Sequence, residues 1–188
     1  ISWWSAMEDS SRDAKRFQYE RFILSQLLVM ALKGVPAFYL PALLASENDI
    51  KSFSMTGQRR DLNREKFKSE NLSAVLNNPE SNANKNLKYL RNAMDVRSEL
   101  KQFHPCSQMK CLSKGRSDIV VIKRGKGPES VFAIHNMTEN KINYQLNDND
   151  LPKIIDNDFN THDFLTSTKY NCKNISLDPF QVIWLSAL

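Results

Sequence analysis

The sequence has 188 residues, of which 41% are hydrophobic and 25% charged, and its mean hydropathy is −0.50. A chain of this length can bury a core without disulfides. Its composition excludes collagen, coiled coil and wholesale disorder. The net charge of +5 does not indicate nucleic-acid binding, because basic and acidic residues alternate and the basic cluster at residues 123–126 has the composition of a hairpin tip.

No apolar run reaches the roughly 18 residues that a membrane-spanning helix needs. The sequence begins without a methionine or a signal peptide, so we expect its first residues to lie inside a longer protein. The three cysteines have no CxxC spacing, and the three histidines do not complete a zinc pattern. These features predict reduced cysteines in a cytoplasmic protein without a metal site.

Helical periodicity from residue 11 to residue 33 predicts a long helix that Gly34 ends. The apolar run at residues 35–40 predicts a short strand buried on both faces, as in a parallel sheet. A helix, a glycine and a buried strand form half of a βαβ repeat.

Residues 41–68 lack a regular pattern and predict a long, functional loop. Further helices are predicted at residues 71–76 and 84–102, the second of them amphipathic.

The pattern changes at His104, where short β-rich runs begin to alternate with turn signals. This change predicts that the chain has two parts, divided between residues 104 and 105. Residues 105–188 are expected to form an antiparallel all-β domain, a sandwich, and residues 1–104 belong to the preceding part. The β-rich runs lie at residues 111–112, 119–123, 131–135, 142–146, 163–165, 174–177 and 180–185.

Three motifs in this order resemble the sucrose phosphorylases and their relatives in the α-amylase family of glycoside hydrolases and transglycosylases. They are GVPAFY at residues 34–39, LLASEND at residues 43–49 and GQRRDLNRE at residues 57–65. Supporting similarity lies at residues 3–7, 94–105, 132–136 and 179–185.

The resemblance implies an α+β chain: the tail of a (β/α)8 TIM barrel, with its last helix–strand unit and closing helices, followed by an antiparallel all-β C-terminal domain. It also implies a retaining reaction in which two carboxylates about 5–5.5 Å apart act on an α-glucoside. In the family these carboxylates, and a third one, lie on barrel strands that precede the matching region. A complete barrel takes about 250 residues, so this chain is expected to lack the catalytic residues and to be inactive alone.

The resemblance implies a substrate-binding role for Arg60. In the family, the first arginine of the Arg-Asp-x-Asn-Arg motif pairs with an aspartate of an early barrel loop and grips the hydroxyls of the glucosyl unit. A guanidinium suits this task, because its rigid fork can hold a carboxylate and hydroxyls together. The alternative is an exposed loop charge. The residues expected to brace this loop are Asn48, Asp49, Asp61 and Arg64.

Two functions remain open. The first is the C-terminal part of a glucoside phosphorylase or transglucosylase that uses an α-glucoside (sucrose, or a glucosyl-glycerate or glucosyl-glycerol) and phosphate. For this function we expect no metal or organic cofactor and a location in the cytoplasm, and a homodimer is compatible with it. The alternative is a non-catalytic carbohydrate-binding or dimerisation β-module, against which the apolar segment before residue 40 argues.

Among the aromatic and histidine side chains, His104 and His135 are expected to be structural and Trp184 to lie in the core. For Trp3 and Trp4, packing under the barrel rim and stacking on a sugar are both open.

Overall fold

The computed structural model describes residues 1–9, 13–113, 115–147 and 160–186. Its α-helices are α1 (Gln18–Ala31), α2 (Leu40–Leu43), α3 (Ile50–Thr56), α4 (Ser69–Asn77) and α5 (Asn82–Glu99). Its strands are β1 (Met109–Cys111), β2 (Ile119–Arg124), β3 (Val131–Asn136), β4 (Ile142–Tyr144), β5 (Asn160–His162), β6 (Lys169–Asn171), β7 (Ile175–Leu177) and β8 (Val182–Ser186). Short 3-10 turns lie at Ser5–Met7, Arg59–Asn63, Lys101–Phe103 and Gly127–Glu129.

The chain divides into two compact units. The first unit consists of residues 1–23 and 37–92, and the second of residues 24–36 and 93–188. The domain boundary between residues 104 and 105 stays a prediction. Within the described residues, no helix combines the length and the apolar character that crossing a membrane requires.

The N-terminal segment of the first unit is held against the start of α1. Trp4 is 3% exposed, and its ring meets that of Phe22 edge-on with 5.3 Å between the centroids. The Gln18 amide donates to the carbonyl of Trp4 at 3.0 Å, and Nε of Arg21 donates to the carbonyl of Met7 at 2.7 Å. Trp4 therefore packs in the core, and these bonds fix the course of residues 1–7.

Helix α1 begins later than its periodicity predicts. Part of the predicted start, at residues 10–12, lies outside the described residues, and residues 14–17 form turns. Phe17 has φ = +56°, a left-handed conformation that a helix does not contain. The first helical residue is therefore Gln18, while the end at Ala31 falls close to the predicted Gly34 stop.

The buried strand predicted at residues 35–40 is wrong. Residues 35–39 are neither helix nor strand, and Leu40 already belongs to α2. Val35 is 80% exposed, and the side chains of Tyr39 and Leu40 are also exposed. An extended segment becomes a strand only when a neighbouring strand accepts its hydrogen bonds, and every described strand pairs with another strand of the second unit.

The loop predicted at residues 41–68 is more regular than expected, since it contains α3 and most of α2. Asp49 provides the side-chain cap of α3, and Gly57 ends it with φ = +67°. The helices predicted at residues 71–76 and 84–102 are present as α4 and α5, the second followed by the turn at Lys101–Phe103.

The second unit is built on a four-stranded antiparallel sheet in the order β1–β2–β3–β8. The central strand β3 is buried along its whole length. In the register, Ile134 lies between Val121 of β2 and Ile183 of β8. The β4–β7 ribbon adds Ile175 and Leu177 to the same apolar cluster and thus forms a second layer on this face. Strands β5 and β6 form a separate ribbon that was not predicted. The strand predicted at residues 163–165 is wrong, because Asp163 forms only an isolated bridge and a turn follows it.

The opposite face of the sheet carries a buried arginine. Arg124, the last residue of β2, is fully buried, and its guanidinium donates to the carbonyls of Ala31 and Leu32 at 2.9 and 2.7 Å and of His104 at 2.9 Å. The hairpin-tip interpretation is therefore wrong for Arg124, although Gly125 does begin the turn with φ = +83°. A cation at the free carbonyls that end α1 is favourable, because these carbonyls carry the negative end of the helix dipole.

A second arginine binds the same region. Arg97 of α5 donates to the carbonyls of Met30, Gly34 and Phe103 at 3.0–3.1 Å. The guanidinium carbons of Arg97 and Arg124 lie 5.8 and 5.4 Å from the centroid of the Phe103 ring. The two cations thus bind the end of α1 without a carboxylate, and burial lowers the pKa of both.

Candidate functional site

The segment that carries Arg60 is anchored at its start by Asn48. The Oδ1 atom of Asn48 accepts a hydrogen bond from the backbone N–H of Ser2 at 2.6 Å, and its own N–H donates to the hydroxyl of Ser5 at 3.1 Å. Asn48 therefore ties two distant parts of the first unit together, as a bracing residue should.

Asp49 caps α3 and closes the segment. Its carboxylate accepts hydrogen bonds from the Ser52 hydroxyl at 2.6 Å and the Ser52 N–H at 2.9 Å. These bonds, with the nearby charges of Lys51 and Lys66, lower the pKa of Asp49, so it is ionised at neutral pH. The N–H of Asp49 donates to the carbonyl of Leu62 at 2.8 Å, which joins the two ends of the segment.

Asp61 holds the turn that follows α3. The hydroxyl of Thr56 donates to Oδ2 of Asp61 at 2.5 Å, and the backbone N–H of Arg64 donates to the carbonyl of Asp61 at 3.3 Å. Both contacts stabilise the 3-10 turn Arg59–Asn63, in which Arg60 is the second residue.

The side chain of Arg60 is exposed, and it makes no hydrogen bond or ion pair with any described residue. Arg64 is exposed as well. Asp49 and Asp61 bond to groups within this segment, Asn48 bonds to Ser2 and Ser5, and none of the three bonds to the Arg60 guanidinium. The turn is therefore braced, while the substrate-binding role of Arg60 stays a prediction.

Two cavities open in the first unit. The larger, of about 650 Å³, lies along α4 and the start of α5 and has both acidic and basic side chains in its wall. The smaller, of about 360 Å³, is lined by Asn63 of the Arg60 turn together with Trp3 and Tyr39. Neither Tyr39 nor Asn63 was predicted to be a site residue, although Asn63 lies inside the Arg-Asp-Leu-Asn-Arg motif.

The buried nucleophilic and titratable groups of the second unit have structural positions. His135 is fully buried in β3, and burial lowers its pKa to about 4, so it stays neutral. Burial raises the pKa of the Cys172 thiol to about 11, which makes it a poor nucleophile. Within the described part of the chain, no three His, Cys, Asp or Glu side chains cluster as metal ligands would.

No family model matches the chain. A curated glucosylglycerate phosphorylase from Allomeiothermus silvanus is 31% identical over 130 residues, which cover 69% of this chain and 23% of that protein. A glucosylglycerate phosphorylase from Escherichia coli is 22% identical over 165 residues, covering 88% of this chain and 28% of the relative. The chain therefore spans about a quarter of the length of these curated relatives.

Among solved structures, the trehalose-6-phosphate hydrolase from Bacillus licheniformis matches with a TM-score of 0.63 at 16% identity, over 92% of this chain and 39% of that one. At this identity the match shows the fold alone: the chain has the fold of part of the α-amylase family of TIM-barrel enzymes. The curated homologues point to one group within that family. The chain is similar to its sucrose phosphorylase-like members, as the three motifs predicted.

Proposed function

We propose that the chain is the C-terminal part of a retaining glucoside phosphorylase, which transfers a glucosyl unit from an α-glucoside to phosphate. The observation that carries this proposal is the similarity to glucosylglycerate phosphorylases, which reaches 88% of the chain and therefore includes both the helical and the β-rich parts. Similarity of this extent does not favour an isolated β-module.

The proposed reaction has two displacements. A carboxylate of the whole protein attacks the anomeric carbon and expels the leaving group, which takes a proton from a second carboxyl group. An oxygen of inorganic phosphate then attacks the same carbon from the vacated face and expels the carboxylate. Two inversions give α-glucose 1-phosphate, and both carboxylates are provided by residues outside this chain. No metal or organic cofactor takes part.

In this proposal Arg60 holds the glucosyl unit. The structure supports it in one respect: the Arg60 turn is fixed at both ends, while the guanidinium has no bond to a described residue and is available to a ligand. The guanidinium has a fork of five N–H donors. It can therefore bind sugar hydroxyls and, at the same time, a carboxylate from the part of the barrel that lies outside this chain. Asn48, Asp49, Asp61 and Arg64 would act by fixing the turn.

The test compares Arg60→Lys with Arg59→Lys in the longer protein that contains this chain. The two arginines are exposed neighbours on the same turn, so Arg59→Lys is a matched control. Arg60→Lys keeps the positive charge but loses the planar fork of donors, which should lower kcat/KM for phosphate-dependent release of glucose 1-phosphate by about 10- to 100-fold. Equal effects of the two substitutions would refute the assignment of Arg60.

The leaving group stays open among fructose, glycerate, glycerol and a phosphorylated sugar, and the names of the relatives make glucosylglycerate the first donor to assay. The proposal places the protein in the cytoplasm, to which its three free cysteines are suited. A homodimer remains compatible with it.

A further inference from the structure

The edge of the four-stranded sheet holds a methionine against the end of α1. Met109 is the first residue of the edge strand β1, and it pairs with Arg124 of β2 in the register. Residues that pair across two strands have their side chains on the same face of the sheet. From this face Arg124 binds the carbonyls of Ala31 and Leu32. Beside it, Sδ of Met109 accepts a hydrogen bond from the backbone N–H of Lys33 at 3.3 Å.

The contact of Met109 is the weaker and the more accessible of these two. A guanidinium is a permanent cation with five donors, whereas a thioether sulfur is only a weak acceptor. Arg124 is fully buried, but Met109 is 39% exposed. All six methionines of the chain lie in the described residues, and the exposed ones are Met109 and Met55, which is 78% exposed. No hydrogen bond joins the sulfur of Met55 to a described residue. Met109 thus combines an accessible sulfur with a structural contact.

We propose that Met109 is a site of reversible oxidation by peroxide, and that its sulfoxide releases the end of α1 from β1. The sulfur attacks one oxygen of hydrogen peroxide, so that an S–O bond forms while the O–O bond breaks. The departing hydroxide takes the proton of the transferred oxygen and leaves as water. The sulfur loses two electrons, which reduce the peroxide, and methionine sulfoxide reductases reverse the change.

Oxidation removes the contact with Lys33 whichever lone pair of the sulfur reacts. Oxygen added at the solvent side gives the sulfur a partial positive charge, so that the sulfur no longer attracts the N–H. Oxygen added at the other side would have to accept the N–H itself. A hydrogen bond to oxygen alone takes about 2.9 Å, which leaves no room for an S–O bond within the 3.3 Å between nitrogen and sulfur. The N–H of Lys33 therefore loses its acceptor, while the bonds of Arg124 to the helix carbonyls remain.

The test combines peroxide treatment of the longer protein with mass spectrometry. Peptide mapping measures the oxidation of each methionine, with the buried Met30 and the exposed Met55 as internal references. Hydrogen–deuterium exchange is measured at residues 32–35 before treatment, after treatment, and after reduction by methionine sulfoxide reductases A and B with dithiothreitol. The variants are Met109→Leu, which has no sulfur to oxidise, and Met55→Leu, the matched control. Circular dichroism of each untreated variant must match the wild type.

Met109 should be oxidised within about 3-fold of the rate of Met55, while Met30 stays unoxidised. Oxidation should raise the exchange rate at Lys33 about 3- to 10-fold, the loss of one hydrogen bond, and reduction should restore it. Met55→Leu should respond as the wild type does. Untreated Met109→Leu should already exchange as fast as the oxidised wild type, and peroxide should not change it further. Protection of Met109 comparable to that of Met30, unchanged exchange at residues 32–35 after oxidation, or an equal response of Met109→Leu would overturn the inference.

Discussion

Replacing Arg124 by methionine should strongly destabilise the second unit. Methionine has a similar length and fills the site, but it removes the three hydrogen bonds to the carbonyls of Ala31, Leu32 and His104. The two bonds to Ala31 and Leu32 satisfy carbonyls at the end of α1, which has no further helical N–H groups to bind them. The substitution therefore leaves buried acceptors without donors.

The magnitude follows from two opposing effects. Leaving three buried carbonyls without charged donors costs about 4–5 kcal/mol. Against this, the guanidinium carbons of Arg97 and Arg124 both lie within 6 Å of the Phe103 centroid, so at most about 12 Å separates them. Their repulsion is therefore at least about 1.5 kcal/mol at an effective dielectric constant of 20, and the substitution relieves it. The net loss is at most about 3 kcal/mol, a large share of the stability of an ordinary domain.

The assay is urea-induced unfolding of the chain, followed by the circular dichroism of the sheet. Lys126→Met is the matched control, because Lys126 is an exposed cation two residues further along the same hairpin. Arg124→Met should lower the free energy of unfolding by about 1–3 kcal/mol, and Lys126→Met should change it by less than about 0.5 kcal/mol. A loss below about 1 kcal/mol for Arg124→Met would refute the role given to these hydrogen bonds.

Three further predictions concern other buried groups. Burial lowers the pKa of His135 to about 4, from an unfolded value near 6.5, so protons bind the unfolded state more tightly. The free energy of unfolding should therefore fall by about 3 kcal/mol as the pH drops from 6.5 to 4. This loss, measured by urea unfolding at each pH, should vanish in His135→Gln and persist in His162→Gln. Asn86→Leu should cost about 2 kcal/mol in urea unfolding, because the Asn86 amide donates to two carbonyls of α2; an unchanged midpoint would contradict this. Cys172 should resist thiol reagents at pH 8 until the chain is denatured, since burial raises its pKa to about 11, whereas the two exposed cysteines should react at once.

Local patterns predicted the elements that local interactions determine. The β-rich runs between turn signals located β2 and β3, and the three- to four-residue periodicity located most of α1 and α5. The predicted stop at Gly34 lies three residues beyond the end of α1 at Ala31, so the periodicity located the end of this helix only approximately.

Features that depend on distant partners were missed. The apolar run at residues 35–40 has the composition of a buried strand, but a strand requires a paired neighbour. Strand β6 has a polar sequence and exists because it pairs with β5. Arg124 was taken for a surface charge, since its burial depends on carbonyls that precede it by more than 90 residues.

The candidate site was predictable only in part. The motif at residues 57–65 singled out Arg60, and Asp49 was expected to brace the loop. Its role as the cap of α3 was not predicted, because no helix was predicted there. The smaller cavity of the first unit was not predictable, because Trp3, Tyr39 and Asn63 come together only through the fold of that unit.

The most direct test of the proposed function identifies the product that the longer protein forms from an α-glucoside and phosphate. Glucosylglycerate and sucrose are incubated with the protein and inorganic phosphate, and the products are resolved by phosphorus NMR. A retaining phosphorylase should give α-glucose 1-phosphate in proportion to the donor consumed, and no turnover without phosphate. Release of free glucose at the same rate with and without phosphate, or formation of β-glucose 1-phosphate, would contradict the proposal.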